Sequence, residues 1–189
     1  MLKKLKEMFG LDRPVVLAPP PLTLLVPLAG RAIPLAAVAD EVFAKNILGE
    51  GAAIIPSEGR LFSPVNGTVA RVFDTLHALA IISNEGLEVL LHVGLETVAL
   101  NGEYYESFVR DGDIVRAGQL LLRFDLGAIQ AAGYDPVTPV VLTNQACELL
   151  KLGEIAVGEP LLKAMGQPVG SQKPNPETPN EEKPNDAAG

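Results

Sequence analysis

Apolar residues along this chain come in short runs, each closed by glycine or proline. Val26–Leu35, Gly51–Gly59, Arg60–Phe73, Leu79–Ser83, Leu87–Val93 and Leu120–Leu126 have strand length and strand composition. Their regular punctuation predicts a sandwich or barrel of short antiparallel strands. Helical periodicity is confined to short pieces: a turn at Val38–Ala44 and a helix-tolerant stretch at Gly127–Ala132. Thr138–Leu142 and Glu154–Ala164 supply the last strand-like runs. The expected fold class is therefore all-β, with short helical turns. Pro27–Ile33 and Pro64–Ala70 echo each other, a weak sign of a duplicated half, and Asp111–Gln119 is a different turn-strand unit.

The flanks read differently. Residues 1–10, MLKKLKEMFG, place Leu2, Leu5, Met8 and Phe9 along one helical side with lysines on the others. Such a basic amphipathic segment suits weak contact with anionic lipid, or equally a solvated terminus. Pro14, Pro19, Pro20 and Pro21 make an extended lead-in of the stretch up to Pro27. After Gly166 the text is rich in Pro, Asn and Glu and too poor in apolar residues to offset ordering entropy, so a disordered tail is expected. The expected division is 1–24 lead-in, 25–165 folded domain and 166–189 tail.

One stretch concentrates the chemistry. Gly67–Val98 holds both histidines, His77 and His92, on either side of a turn at Ser83-Asn84-Glu85-Gly86. A two-residue loop at Asn84-Glu85 would pair His77 directly with His92, with Cβ atoms about 5 Å apart. A three-residue loop would put Val93 opposite His77 instead. In the first register Phe73, Thr75, His77 and Leu79 share one face with Glu88, Leu90 and His92. The almost wholly apolar opposite face, Val72, Leu76, Ala78, Ala80, Val89, Leu91 and Val93, is then the expected core.

Composition narrows the classes. With 189 residues, 48% of them hydrophobic, the chain can bury one well-cored domain. No run of about 18 apolar residues spans a membrane and no secretory leader is legible, so a cytosolic location is expected. The single cysteine, Cys147, excludes an internal disulfide and reads as an inert buried thiol. A net charge of −8 argues against nucleic acid and for basic protein partners or mere solubility. Neutral imidazole is a nucleophile near neutral pH and can carry a phosphoryl group on nitrogen. A two-histidine zinc site with Glu88 or Glu96 is the rival, without a His-x-His or H-E-x-x-H pattern to support it. A serine hydrolase would need a G-x-S-x-G elbow, which is missing from the sequence. The segment SPVNGTV suggests a biotinyl or lipoyl carrier, but no lysine stands between apolar residues at a hairpin tip.

Several segments, in order, resemble the glucose-type IIA component of the bacterial phosphoenolpyruvate-dependent sugar phosphotransferase system. They are VADEVFAKNILGEGAAIIP (38–56), SPVNGTVARVFDTLHALAI (63–81), GLEVLLHVGLETVAL (86–100), VRDGDIVRAGQLLLRFDL (109–126) and TPVVLTN (138–144). The G-x-x-x-x-x-H-x-G-x-x-T pattern at 86–97 is the most specific of them. The resemblance implies a β-sandwich of the duplicated hybrid-motif type and a phosphoryl relay without a cofactor or metal. His92 would accept the phosphoryl group from HPr, the small phosphocarrier protein, and pass it to a cysteine of a IIB domain serving a membrane IIC component. His77 would assist the onward step, Thr75 would orient His77, and the carbonyl at Gly94 would fix the His92 tautomer. Asp40 and Glu96 would rim the site, and Phe43, Ile47, Leu48, Phe73, Leu90 and Val98 would form the docking depression. The family also implies regulatory contacts with permeases, kinases or adenylate cyclase, and a lipid-touching N-terminal segment. A purely regulatory binding module is the alternative reading. Departures are Glu96 where the family usually has Asp, Leu90 for a common Phe, and a shorter region after Asn144.

Overall fold

The computed structural model describes residues 17–166. The expectations for segment 1–10 and for nearly all of the tail lie outside those residues.

The regular structure of the described residues is predominantly antiparallel strand. In order these are β1 (Thr23–Leu25), β2 (Gly30–Pro34), β3 (Glu50–Pro56), β4 (Arg60–Phe62), β5 (Gly67–Val72), β6 (Ala78–Ser83) and β7 (Glu88–His92). Then follow β8 (Tyr105–Ser107), β9 (Ile114–Val115), β10 (Leu120–Phe124), β11 (Thr138–Leu142), β12 (Cys147–Leu149), β13 (Gly153–Ile155) and β14 (Pro160–Ala164). Two short helices, α1 (Glu41–Ala44) and α2 (Leu126–Ala131), interrupt them, each opened by an aspartate, Asp40 or Asp125, whose carboxylate accepts a first-turn N–H. Among the described residues no helix is long and apolar enough to cross a membrane.

The sheets carry a duplication in their strand order. The large sheet runs β13-β2-β3-β11-β7-β6-β5-β9, and the small sheets run β1-β14-β12 and β4-β10-β8. Exchanging β2 with β5, β3 with β6, β11 with β7 and β13 with β9 returns the same large sheet. The same exchange turns one small sheet into the other. The half spanning β4–β10 is thus inserted between β3 and β11 of its counterpart. The echo read at Pro27–Ile33 and Pro64–Ala70 marks the start of each half's long strand. Gly30 opens β2 and Gly67 opens β5, and at each a Cβ would lie about 2 Å from a carbonyl of the neighbouring strand (2.0 Å from Ile55 O, 2.2 Å from Ile82 O). Only glycine allows that approach. The unit at Asp111–Gln119 leads through β9 into β10 as Gly153–Glu159 leads through β13 into β14.

One large core fills the space between the sheets, with Leu24, Leu28, Ile54, Leu61, Leu79, Ile81, Leu91, Leu121 and Leu122 almost fully buried in it. A second, smaller cluster lies on the outer face of the large sheet. There Leu35, Val38 and Phe43, from the turn before α1 and from α1 itself, cover Ala53, Val137 and Val141 beside Leu95. This is why all five residues of β11 are buried: it is covered on both faces.

Three expectations change. Thr23–Leu25, placed mostly in the lead-in, is a paired strand with Leu24 in the core, because Pro21 ends where β1 begins. The hairpin loop has three residues, not two: Ser83 N–H donates to Leu87 O and Gly86 takes a left-handed φ of 86°. Ala78 therefore faces His92 and Leu79 faces Leu91, so the direct His77–His92 pairing does not occur. With the register moves the face: Leu79 and Ile81 join Val89 and Leu91 in the core, while Ala80 pairs with Leu90 on the outer side. The expected first strand is also two, since the chain turns between β5 and β6.

Candidate functional site

The two imidazoles meet although their backbones are not paired. His92 is the last residue of β7, on the outer face with Leu90. His77 precedes β6, and alternation back from Ala78 would turn it towards the core. Leu76, in the left-handed conformation at φ 55°, breaks that alternation. The turn is closed by Leu76 N–H donating to Phe73 O, and by Phe73 N–H donating to Ala78 O. The result brings the ring of His77 within 4.8 Å of the ring of His92, centroid to centroid, edge to face at 79°. Phe43 stands 5.1 Å from His92 on one side and Phe73 stands 5.8 Å from His77 on the other. Four rings thus stand in one continuous row.

Each histidine has one ring nitrogen engaged or enclosed. Nδ1 of His77 shares a 2.6 Å hydrogen bond with the hydroxyl of Thr75, leaving Nε2 as its other ring nitrogen. Nδ1 of His92 is buried and makes no completed hydrogen bond among the described residues. The Gly94 backbone lies close enough to favour a proton there, though not in the geometry of a completed bond. Burial, reinforced by the neighbouring His77, holds the pKa of His92 down at about 4 against the weaker opposite pull of Gly94 and Asp40. His77 is lowered too, by burial. Both rings are therefore mainly neutral at pH 7, and when the single proton of His92 rests on Nδ1 its Nε2 is the nucleophilic nitrogen.

Gly94 is fixed from both sides. Its N–H donates to Val137 O at 3.1 Å and the next N–H, of Leu95, donates to Asp135 O at 2.8 Å. At φ 81° and with the Thr97 side chain 2.5 Å from where a Cβ would stand, the position admits glycine alone.

The remaining expected residues divide by exposure. Ile47 (65% exposed), Val98 (52%), Leu48 and Phe73 stand in solvent as large apolar side chains. Leu90 is half-buried and Phe43 is buried at 4%, so Phe43 is a wall of the histidine site and part of the second core rather than open docking surface. Asp40 and Glu96 line a cleft of about 520 Å³ together with Glu41, Tyr134 and Asp135. Glu96 is itself in the left-handed conformation, at φ 57°. Cys147, expected buried, is half-buried; burial and Glu50 push its thiol up to about 11, so it stays protonated and inert.

Residues 22–147 match the family described as phosphoenolpyruvate-dependent sugar phosphotransferase system, EIIA 1. The chain belongs to that EIIA family. It is 39% identical over 145 residues to the glucose-specific EIIA component of Oceanobacillus iheyensis, covering 75% of this chain and 88% of that one. It is 50% identical over 143 residues to the β-glucoside-specific EIIBCA component of Dickeya chrysanthemi, covering 74% of this chain but only 23% of that longer protein. Among solved structures, glucose permease IIA from Mycoplasma capricolum superposes with a TM-score of 0.71 at 37% identity, over 75% of this chain and 94% of that one. The β-sandwich is thus the IIA fold, and the chain is a IIA component of a sugar phosphotransferase system.

Sequence reasoning passed over Tyr105, Tyr134 and Asp135. Tyr105 is buried with its hydroxyl donating to the carbonyl of Val93, the residue after His92, at 3.0 Å. A tyrosine within an apolar packing position was the available signal, because a buried phenol requires a partner. Asp135 and Tyr134 reach the cleft through the loop after α2, and no local pattern connects them to His92.

Proposed function

We propose that this IIA component carries a phosphoryl group on Nε2 of His92. The phosphohistidine of HPr is the donor: its N–P bond breaks as the bond to Nε2 of His92 forms, and the donor imidazole leaves. In the second step a thiolate of a IIB domain attacks phosphorus, an S–P bond forms and His92 is released as neutral imidazole. The observation that carries the reading is the juxtaposed pair: a neutral, desolvated His92 with a second imidazole 4.8 Å away. Desolvation keeps His92 unprotonated and so nucleophilic near neutral pH. His77 binds a phosphoryl oxygen and stabilises its transfer outward, a role supported by its hydrogen bond to Thr75. The exposed apolar rim and the carboxylates Asp40 and Glu96 suit a partner that is apolar at its centre and basic at its edge.

The IIB partner draws support from relatives in which EIIA is one part of an EIIBCA or EIICBA component, of whose length this chain spans about a quarter or less. Such a relay operates at the cytoplasmic face of a membrane permease. Reversible phosphorylation adds charge at the centre of the docking surface, so the same site can report carbon supply to regulatory partners.

The test is incubation with phosphoenolpyruvate, enzyme I and HPr, read by intact mass. Wild type and His77→Ala should each gain one acid-labile phosphoryl group and His92→Ala none. His77→Ala should then fail to pass it to a IIB domain. An unlabelled wild type beside a competent HPr would overturn the relay and leave the regulatory module.

A further inference from the structure

The carbonyl of Val93 accepts two buried side-chain hydrogen bonds, from the hydroxyl of Thr97 at 2.7 Å and from the hydroxyl of Tyr105 at 3.0 Å. Thr97 is fully buried and Tyr105 is 9% exposed, so neither donor has water as an alternative. The phenol is spent on that one oxygen, which belongs to the peptide joining Val93 to Gly94, and the threonine hydroxyl is shared between it and the Gly94 carbonyl at 3.4 Å. The other ends of the same segment are held as well: Val93 N–H donates to the carbonyl of His77 at 2.7 Å, and Gly94 N–H donates to Val137 O. Every polar group of Val93 is therefore committed, one of them to the second histidine. The backbone that acts on His92 is that of Gly94. Its carbonyl lies in the next peptide, held by Leu95 N–H donating to Asp135 O at 2.8 Å and reached by the Thr97 hydroxyl at 3.4 Å, and the Val93–Gly94 peptide is what joins that peptide to His92.

The geometry points to Tyr105 as a positioning residue for His92, acting through the Val93–Gly94 peptide. Resting on the reading of His92 as phosphoryl acceptor, this extends it to a side chain outside the G-x-x-x-x-x-H-x-G-x-x-T segment. Tyr105 lies thirteen positions beyond His92 in β8, a strand of a different sheet. Its ring packs 6.4 Å from Phe124 of β10, which fixes the hydroxyl relative to the core. The phenol thus ties the active-site end of β7 to the small sheet of its own half. When Nε2 is occupied by phosphorus, the proton of His92 resides on Nδ1, and an acceptor held in place there stabilises the carrier form. Thr97 alone can keep the Val93 carbonyl bonded. Two donors from two directions restrict its plane, and that restriction is what Tyr105 supplies.

The experiment compares wild type, Tyr105→Phe and Phe124→Leu. Phe preserves the ring and removes only the hydroxyl, whereas Phe124→Leu disturbs the packing of the same ring and leaves the hydrogen bond. Nitrogen-15 spectra of the imidazoles, recorded against pH without any phosphoryl donor, report the tautomer and titration midpoint of His92; His77 and Asp40 are the titratable groups facing it. Phosphorylation by HPr under single-turnover conditions reports the rate. Tyr105→Phe should shift the His92 tautomer balance and midpoint and slow acceptance about five-fold, the size expected for one net hydrogen bond. Phe124→Leu should lower the melting temperature at least as much while leaving the His92 spectrum in place. Unchanged His92 signals and rate in Tyr105→Phe would overturn the proposal and make the phenol a structural group. A wild type that titrates normally but takes no phosphoryl group would fail the relay and leave the positioning of His92 to be judged by the spectra alone.

Discussion

At the scale of single residues, the site is governed by what burial does to two imidazoles. A histidine whose pKa in the folded protein lies below its unfolded value of about 6.5 lets the unfolded chain bind protons first. The stability held by neutral His92 is therefore complete above pH 6.5, is lost as pH falls and stops changing below about 4. The interval between those two values corresponds to about 3 kcal/mol. Urea denaturation at pH 7.5 and pH 4.5 should show wild type losing about 2 kcal/mol more than His92→Gln between the two conditions; equal losses would contradict a buried neutral ring. Thr75 makes a separate prediction. Thr75→Val keeps the shape and removes the 2.6 Å bond to His77. Acceptance by His92 should stay within about two-fold, while onward transfer to a IIB domain falls roughly ten-fold, as loss of a buried hydrogen bond to a reacting group implies. Stopped-flow measurement of each half-reaction separates the two.

At the scale of elements, register decides what a residue can do. Gly67 starts β5 against the carbonyl of Ile82, and a Cβ there would stand 2.2 Å from that oxygen and 2.8 Å from the Cα of Ser83. Both are backbone atoms of a hairpin partner, so neither yields cheaply. Gly67→Ala should cost about 3 kcal/mol in thermal or urea unfolding, whereas Thr68→Ala, next along and exposed, should stay within about 0.5 kcal/mol. The same local geometry explains what the letters of the sequence did and did not carry. Asn84, Glu85 and Gly86 announced a turn, but whether Gly86 closes a two-residue loop or sits inside a three-residue one depends on a single positive φ. That one residue moved Leu79 from the histidine face to the core and set Ala78 opposite His92. The histidines were nevertheless read as neighbours, because proximity in a hairpin survives a slip of one position. What brings the rings together is Leu76 in the left-handed conformation, and a leucine gives no sign of that. β8 and β12, with three residues each, and β9, with two, were too short for alternation to be visible.

At the scale of the whole molecule, two related halves share one sheet but only one half carries the histidines. The position in β11 that corresponds to His92 holds Val141, buried under Phe43 in the second core. One half thus presents a covered wall at this position, and part of the exposed apolar surface lies where α1 and the turn after β7 flank the histidines. Ile47 and Val98 lie there, 65% and 52% exposed, in positions that contribute little to the core. Ile114 is more exposed still, at 81%, yet it sits on β9 at the edge of the large sheet, level with Thr68 and Ile82 and so at the far end of β6 from Ala78. If exposure alone made a docking surface, all three would behave alike. If the partner seats over the histidines, they separate. Ile47→Asp and Val98→Asp should each reduce kcat/KM for acceptance from HPr roughly ten-fold or more, the cost of placing an uncompensated charge at the centre of an apolar contact. Ile114→Asp should leave it within two-fold, and all three should unfold within about 0.5 kcal/mol of wild type because each side chain is more than half exposed. Equal effects of the three substitutions on transfer would assign the apolar rim to general surface character and remove it from the docking site.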